Sequence, residues 1–113
     1  MTMSEREIDP QKAVDFIRDH GAKLAYAKAT RIYLEEFRKS KKALLMKQSL
    51  ETAVNAQERD AYSHPEYLQL INDLRAAVEA EEALKWHMVA AEARIEVWRS
   101  QEASNRAEYR ATI

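Results

Sequence analysis

The chain has 113 residues, of which 46% are hydrophobic and 33% charged, with a formal net charge of −1, one glycine, two prolines and no cysteine. This balance is typical of a single folded domain, and the missing residue types exclude a disulfide scaffold, a thiolate zinc site, a cysteine nucleophile and a glycine-rich phosphate loop. No uncharged run approaches the roughly 18 residues that a membrane span needs, and the polar N-terminus has no signal-peptide core, so we expect a soluble, cytoplasmic protein.

Strong helix formers dominate the sequence and predict an all-α fold. After a polar start, Asp9 followed by Pro10 predicts a helix N-cap with proline at the first helical position. A short amphipathic helix is expected from there to Gly21, because the single glycine of the chain is a natural helix stop. The sequence therefore divides into an N-terminal segment with this short helix, residues 1–21, and a long helical hairpin, residues 22–113.

The two long helices of the hairpin are predicted to meet at a bend near residues 60–66, and the second helix is expected to reach that bend without a break. Ser63 and Glu66 have the spacing of a capping box, and Tyr62 and Tyr67 have that of a hydrophobic staple. A tight turn between long helices makes them antiparallel, coiled-coil-like neighbours.

Helical periodicity of about 100° per residue assigns one apolar stripe to each long helix. On the second helix the stripe consists of Tyr26, Thr30, Tyr33, Phe37 and Leu44. On the third helix it consists of Tyr67, Ile71, Leu74, Val78, Met88, Ile95 and Trp98. Pairing these stripes outward from the bend places Leu44 near Leu84 and Phe37 near Ala91.

The opposite side of the third helix carries small side chains at helical spacing, namely Ala76, Ala80, Ala83, His87 and Ala90. Helices of roughly 60 Å cannot cover both faces of one another, and small side chains permit close approach of a further helix. We therefore expect a homodimer in a four-helix arrangement. Trp86 lies off both stripes and is expected at the dimer seam or as an anchor for another partner. The alternative is a monomeric hairpin whose alanines face water.

Charge is segregated along the chain, with eight basic and two acidic residues in 23–47 but eight acidic and two basic residues in 51–83. Five of the cations fall within about 100° of arc on the second helix, namely Lys28, Arg31, Arg38, Lys39 and Lys42. This basic ridge points away from Tyr33 and is expected to lie in solvent, out of reach of the acidic segment, where it can bind nucleic-acid phosphates.

A structural interpretation of the same charges is the alternative. The ridge is then only a solvated face, and ion pairs across the hairpin fix its register. The expected pairs join Lys41 and Lys47 to Glu79, Glu81 and Glu82.

No catalytic or metal-binding pattern is found in the sequence. His20, His64 and His87 each lack a second histidine three or four residues away, and no Glu-x-x-His pair is present. The serines lack a nucleophile-elbow motif, and neighbouring glutamates such as Glu81 and Glu82 point about 100° apart. We therefore expect no enzymatic activity, no metal, no cofactor and no small-molecule substrate.

Three segments carry a resemblance to a known group of proteins: YLEEFRKSKK at 33–42, QERDAYSHPEY at 57–67 and ARIEVWRS at 93–100. They resemble a family of short, uncharacterised α-helical proteins of tailed phages and prophages, associated with replication and recombination genes. The resemblance covers about residues 26–106. It implies a phage or prophage origin, a location in the cytoplasm of the bacterial host and a role beside DNA metabolism, and it brings no catalytic residues.

Three functions follow as hypotheses. The first is a non-enzymatic accessory protein of phage DNA recombination or replication that binds DNA phosphates through the basic ridge. The second is a helical protein-interaction module, an adaptor or an inhibitor of a host protein, that docks a partner through Trp86 and the alanine stripe. The third is a component of the virion or of its assembly.

Overall fold

A computed structural model describes residues 7–112, which form three α-helices and no strand. The helices are α1 (Pro10–Gln48), α2 (Val54–Ser63) and α3 (Pro65–Thr112). The all-α class and the long helical hairpin are confirmed. Packing divides the chain into two compact units, which we call the bend unit, Leu24–Glu82, and the terminal unit, formed by residues 7–23 and 83–112.

The N-terminus of α1 is capped as the sequence predicts. The Asp9 Oδ1 atom accepts hydrogen bonds from the backbone N–H groups of Gln11, at 2.9 Å, and Lys12, at 3.2 Å. Pro10 is the first helical residue, where its missing N–H group costs nothing. An acceptor side chain followed by proline therefore defines this helix start.

The predicted end of a short first helix at Gly21 is wrong, because α1 continues through this residue to Gln48. A glycine terminates a helix when it adopts a positive φ at the position after the last turn. No glycine of the described chain has a positive φ. Gly21 is therefore an ordinary helical residue, and the short amphipathic helix is the first part of α1.

The bend contains two breaks instead of one. His64 separates α2 from α3 with an extended backbone, φ −66° and ψ 135°, which is the conformation favoured before a proline. A second break at residues 49–53 interrupts the helix that was predicted to be continuous. There the Ser49 hydroxyl donates a 2.6 Å hydrogen bond to Asp60 Oδ2, and the Gln57 side-chain amide donates to the Glu51 carbonyl at 3.0 Å. These two bonds tie the break to α2.

The cap of α3 differs from the predicted capping box. The backbone N–H of Glu66 donates to His64 Nδ1 at 3.1 Å, so His64 supplies the acceptor. The Ser63 hydroxyl instead donates to the Arg59 carbonyl at 2.8 Å, at the end of α2. The predicted staple is confirmed, since the rings of Tyr62 and Tyr67 meet edge to face with centroids 5.3 Å apart.

The core of the bend unit is a seam between α1 and α3 with alternating spacings of three and four residues, as in a coiled coil. On α1 its buried and half-buried positions are Leu24, Ala27, Arg31, Leu34, Arg38, Lys41 and Leu45. On α3 they are Tyr67, Leu70, Leu74, Ala77 and Glu81. Aliphatic side chains fill most of this seam, and Ala61 of α2 is fully buried beside it.

The predicted apolar stripe of α1 is wrong for three of its five members, because their side chains are exposed and do not face the seam. Tyr26 is 76% exposed, Tyr33 63% and Leu44 51%, whereas the neighbouring Leu45 is only 3% exposed. Thr30 and Phe37 lie at the edge of the seam and are half-buried. The prediction followed the aromatic side chains, but α1 pairs through its leucines and through cations that meet the acidic helices.

The stripe of α3 is largely confirmed. Its half-buried members are Tyr67, Leu74, Met88, Ile95 and Trp98. Ile71 and Val78 are exposed, because they lie one position beyond Leu70 and Ala77 and so point about 100° away from the seam.

The register within the bend unit also differs from the prediction. Arg31 pairs with Glu81, and Lys41 pairs with Glu66, which shows that α1 and α3 run antiparallel. Pairing outward from a single bend at residue 64 would have set Lys41 opposite His87. The difference arises because residues 49–63 form a break and a separate helix, so they do not extend the two arms.

In the terminal unit, Ala13 and Ala91 are the buried residues. The ring of Phe16 stacks on His20 with centroids 4.0 Å apart and meets His87 edge on at 6.1 Å. The Nδ1 atom of His20 also lies 3.0 Å from the Phe16 carbonyl. Both histidines therefore have packing roles beside an aromatic ring.

Candidate interaction surfaces

Arg31 is held between two carboxylates and is not a solvent-facing cation. Its Nη1 atom donates to Glu35 Oε1 at 2.9 Å, its Nη2 atom donates to Glu81 Oε1 at 3.3 Å, and its Nε atom donates to Glu81 Oε2. These bonds, first those to Glu81 and then that to Glu35, raise the pKa of Arg31 further above its ordinary value. The predicted basic ridge therefore contributes one of its cations to the seam itself.

Lys42 is also engaged within the bend unit. Its Nζ atom lies 3.5 Å from Glu58 Oε1 of α2 and 4.7 Å from the centre of the Tyr62 ring. A hydrogen bond to Tyr62 is the main cause that raises the pKa of Lys42, and the charge of Glu58 adds to it. The neighbouring Lys41 pairs with Glu66 at 3.1 Å.

The prediction that the basic ridge cannot reach the acidic segment is therefore wrong for Arg31 and Lys42. Lys39 pairs along its own helix with Glu36 at 3.2 Å. Lys28 and Arg38 form no ion pair among the described residues. The alternative of cross-helix ion pairs is confirmed in kind, although Lys41 pairs with Glu66 instead of the glutamates 79–82. Nucleic-acid binding by the ridge stays a prediction.

The alanine stripe of α3 faces outward over most of its length. Ala76, Ala80, Ala83 and His87 are exposed and Ala90 is half-buried. Trp86 is 64% exposed, in agreement with its predicted place off both stripes.

Sequence reasoning missed that Trp86 begins an apolar stripe on α3, which we call the tryptophan stripe: Trp86, Val89, Ala93 and Val97. All four side chains are exposed and lie within the terminal unit. Their spacings of three, four and four residues place them on one side of the helix. This spacing was available as a signal, but the valines were not assigned to any stripe.

No group of three or more histidine and carboxylate side chains among residues 7–112 could hold a metal ion. One open groove runs along α3 and is lined by residues that include Glu96, Trp98 and Arg99. Within residues 7–112, none of the helices contains an apolar stretch that could span a lipid bilayer.

Comparison of the chain with protein-family models, with curated proteins and with solved structures finds no match. The surfaces must therefore be interpreted from their own chemistry.

Proposed function

We propose that the chain is a non-enzymatic protein-interaction module of phage or prophage origin, and that the tryptophan stripe docks an amphipathic helix of a partner protein. The observation that carries this proposal is the exposure of Trp86, 64%, at the head of three further apolar side chains on one side of α3. Tryptophan is enriched among the few side chains that contribute most of the binding energy of an interface.

The surroundings of the stripe favour a helix as the docked element. An amphipathic helix binds through residues at i, i+3 or i+4 and i+7, and the stripe repeats at the same intervals. Its flanks are charged, with Lys85 and Glu96 on one edge and Arg94 on the other. An apolar centre with a polar rim is the usual anatomy of a specific interface.

The proposal is tested by affinity capture from bacterial host lysate, followed by purification of the captured protein and titration calorimetry against it. The variant Trp86→Ala is expected to weaken binding about 30-fold, the loss typical of a hot spot. Leu68→Ala is the matched control, because Leu68 is an exposed apolar residue of α3 outside the stripe. Its affinity is expected to stay within about twofold of that of the unsubstituted chain. Equal losses for the two variants, or no captured protein that depends on Trp86, would reject the proposal.

DNA binding remains a second candidate, as an accessory function in phage recombination or replication. It is supported by Lys28, which is exposed, and by Arg38, neither of which forms an ion pair among the described residues. Fluorescence anisotropy with single- and double-stranded DNA at about 50 mM salt tests it, because phosphate contacts weaken steeply with added salt. Binding that is lost in Lys28→Glu but kept in Trp86→Ala would support this candidate, whereas no binding to either form would remove it.

A further inference from the structure

A second exposed apolar surface lies on α1 of the bend unit. It consists of Tyr26, Tyr33 and Leu44, which we call the tyrosine face. The Tyr33 ring also stacks on Phe37, with centroids 5.8 Å apart and planes inclined by 6°. Tyr33 and Phe37 thus form a contiguous apolar patch within this surface, and contiguous exposed apolar patches mark interaction surfaces.

The tyrosine face shares one side of the bend unit with an acidic and alanine-rich part of α3. Tyr26, Tyr33 and Leu44 are rotated by about 120° from the seam of α1, and Asp73, Ala76 and Ala80 are rotated by about 120° in the same sense from the seam of α3. Two antiparallel helices are related by a local twofold axis perpendicular to both. Side chains that are rotated from the two seams by equal angles in the same sense therefore lie on the same side of the helix pair.

Size and charge make this side complementary to itself. The α1 part presents tyrosines, and the charged side chains of residues 24–48 that lie on this side are Lys41 and Lys47, both basic. The α3 part presents alanines, and the charged side chains of residues 65–82 that lie on this side are Glu66 and Asp73, both acidic. Stacking α1 on α1 would bring bulky residues onto bulky ones and cations near cations. Stacking α1 on α3 of a second copy brings tyrosines onto alanines and cations near carboxylates.

A twofold axis parallel to the helices produces this arrangement. It places α1 of each copy against α3 of the other and makes every neighbouring pair antiparallel, as in a four-helix bundle. Because Arg31 lies opposite Glu81 within one copy, Tyr33 is level with residue 79 of α3. Across the axis its ring therefore falls between Ala76 and Ala80 of the second copy.

We infer that the occupant of the tyrosine face is a second copy of the chain, docked with α1 of each copy on α3 of the other. This surface is separate from the tryptophan stripe, so the dimer does not depend on the proposed function. A dimer would present the tryptophan stripe twice.

Sedimentation equilibrium of the full chain over a range of concentrations tests the inference. The expected mass is twice the 13.1 kDa of one copy. Tyr33→Glu is expected to return the mass to that of one copy, because it sets a carboxylate against an acidic helix. Ile32→Glu is the matched control, since Ile32 is the adjacent residue, is also exposed and points to the opposite side of the bend unit. It is expected to remain dimeric, and circular dichroism checks that both variants fold.

Cysteine pairing tests which helices meet, and the sequence has no native cysteine to interfere. An oxidised mixture of Tyr33→Cys and Ala80→Cys chains is expected to form mainly the mixed disulfide dimer. A 13.1 kDa species at all concentrations, a dimer broken by Ile32→Glu but kept by Tyr33→Glu, or preferential pairing of Tyr33→Cys with itself would each overturn the inference. Loss of the dimer with partner capture intact, or the reverse, separates the failure of this inference from that of the proposed function.

Discussion

At the scale of single residues, the caps show how one side chain defines a helix boundary. Asp9 and His64 do the same work at the starts of α1 and α3, each accepting a hydrogen bond from a backbone N–H two residues further on. Aspartate is a common N-cap and could be predicted, whereas histidine is not among the preferred residues. The preference for serine in a capping box therefore pointed to Ser63, one residue too early.

The cap by His64 predicts that the adjacent residues His64 and Ser63 contribute differently to the free energy of unfolding. His64→Ala removes the acceptor for the Glu66 N–H and is expected to lower the free energy of unfolding by about 1 kcal/mol. His64→Asp keeps an acceptor at the helix start and is expected to restore most of that loss. Urea unfolding followed by circular dichroism measures both variants.

Ser63→Ala is the control for this prediction. The Ser63 hydroxyl bonds only backbone carbonyls of α2, at Arg59 and Asp60, so its removal is expected to change the unfolding free energy by about 0.5 kcal/mol or less. A larger loss of unfolding free energy for Ser63→Ala than for His64→Ala would support the capping box predicted from the sequence and contradict a cap by His64.

At the scale of helices, α1 shows that the larger apolar side chains need not form the core. The seam uses Leu24, Leu34 and Leu45 and leaves Tyr26 and Tyr33 exposed. A tyrosine at the surface keeps its hydroxyl hydrated, whereas leucine has no polar atom to satisfy and packs in a coiled-coil seam without cost.

Leu44 and Leu45 provide a direct comparison between the two faces of α1. Leu45→Ala is expected to lower the free energy of unfolding by about 2–5 kcal/mol, because it removes a buried side chain and leaves a cavity. Leu44→Ala is expected to change it by about 0.5 kcal/mol or less, when measured at a concentration low enough to exclude self-association. Thermal and urea unfolding give both values. Similar losses for the two variants would mean that the faces of α1 are assigned wrongly.

Gly21 gives a second prediction for α1. Apart from its chain neighbours and the surrounding backbone of its own helix, a methyl group at this position would meet no atom within 4 Å, and the glycine has no positive φ to preserve. Gly21→Ala is therefore expected to raise the free energy of unfolding by about 0.5–1 kcal/mol, since alanine loses less backbone entropy in a helix. A higher melting temperature by circular dichroism would confirm it, and a lower one would indicate that the helix does end there.

The sequence was sufficient to predict the helical class, the start of α1, the break before Pro65 and most of the α3 stripe. Each of these depends on a local rule, either helix propensity, an N-cap, the residue before a proline or the spacing of apolar residues. The break at residues 49–53 could not be predicted in this way, because no glycine or proline marks it and two side-chain hydrogen bonds, from Ser49 to Asp60 and from Gln57 to Glu51, hold it. Because the prediction did not include this break, it gave the wrong register. The faces of α1 were inverted for a different reason, since the prediction followed the aromatic side chains, and the basic ridge was consequently assigned to solvent.

At the scale of the whole molecule, charge segregation decides how the bend unit pairs. A basic α1 beside acidic α2 and α3 produces ion pairs at three separated points, from Lys42 to Glu58, from Lys41 to Glu66 and from Arg31 to Glu81. Arg31 and Glu81 occupy seam positions, where a polar pair specifies register more than it adds stability. A slip of α1 along α3 would leave both groups in the seam without each other.

A charge exchange between Arg31 and Glu81 tests this role. Arg31→Glu alone would set two carboxylates against each other in the seam, and Glu81→Arg alone would set two guanidinium groups together. Each single variant is therefore expected to lower the urea midpoint, and the double exchange to recover most of it, because opposite charges face each other again. The exposed pair of Arg75 and Glu79, 3.4 Å apart along α3, is the matched control, and its single reversals are expected to have little effect. If the Arg31 and Glu81 reversals were equally harmless, or if the double exchange recovered nothing, the pair would not specify the register. The alignment of α1 and α3 would then rest on the leucines of the seam alone.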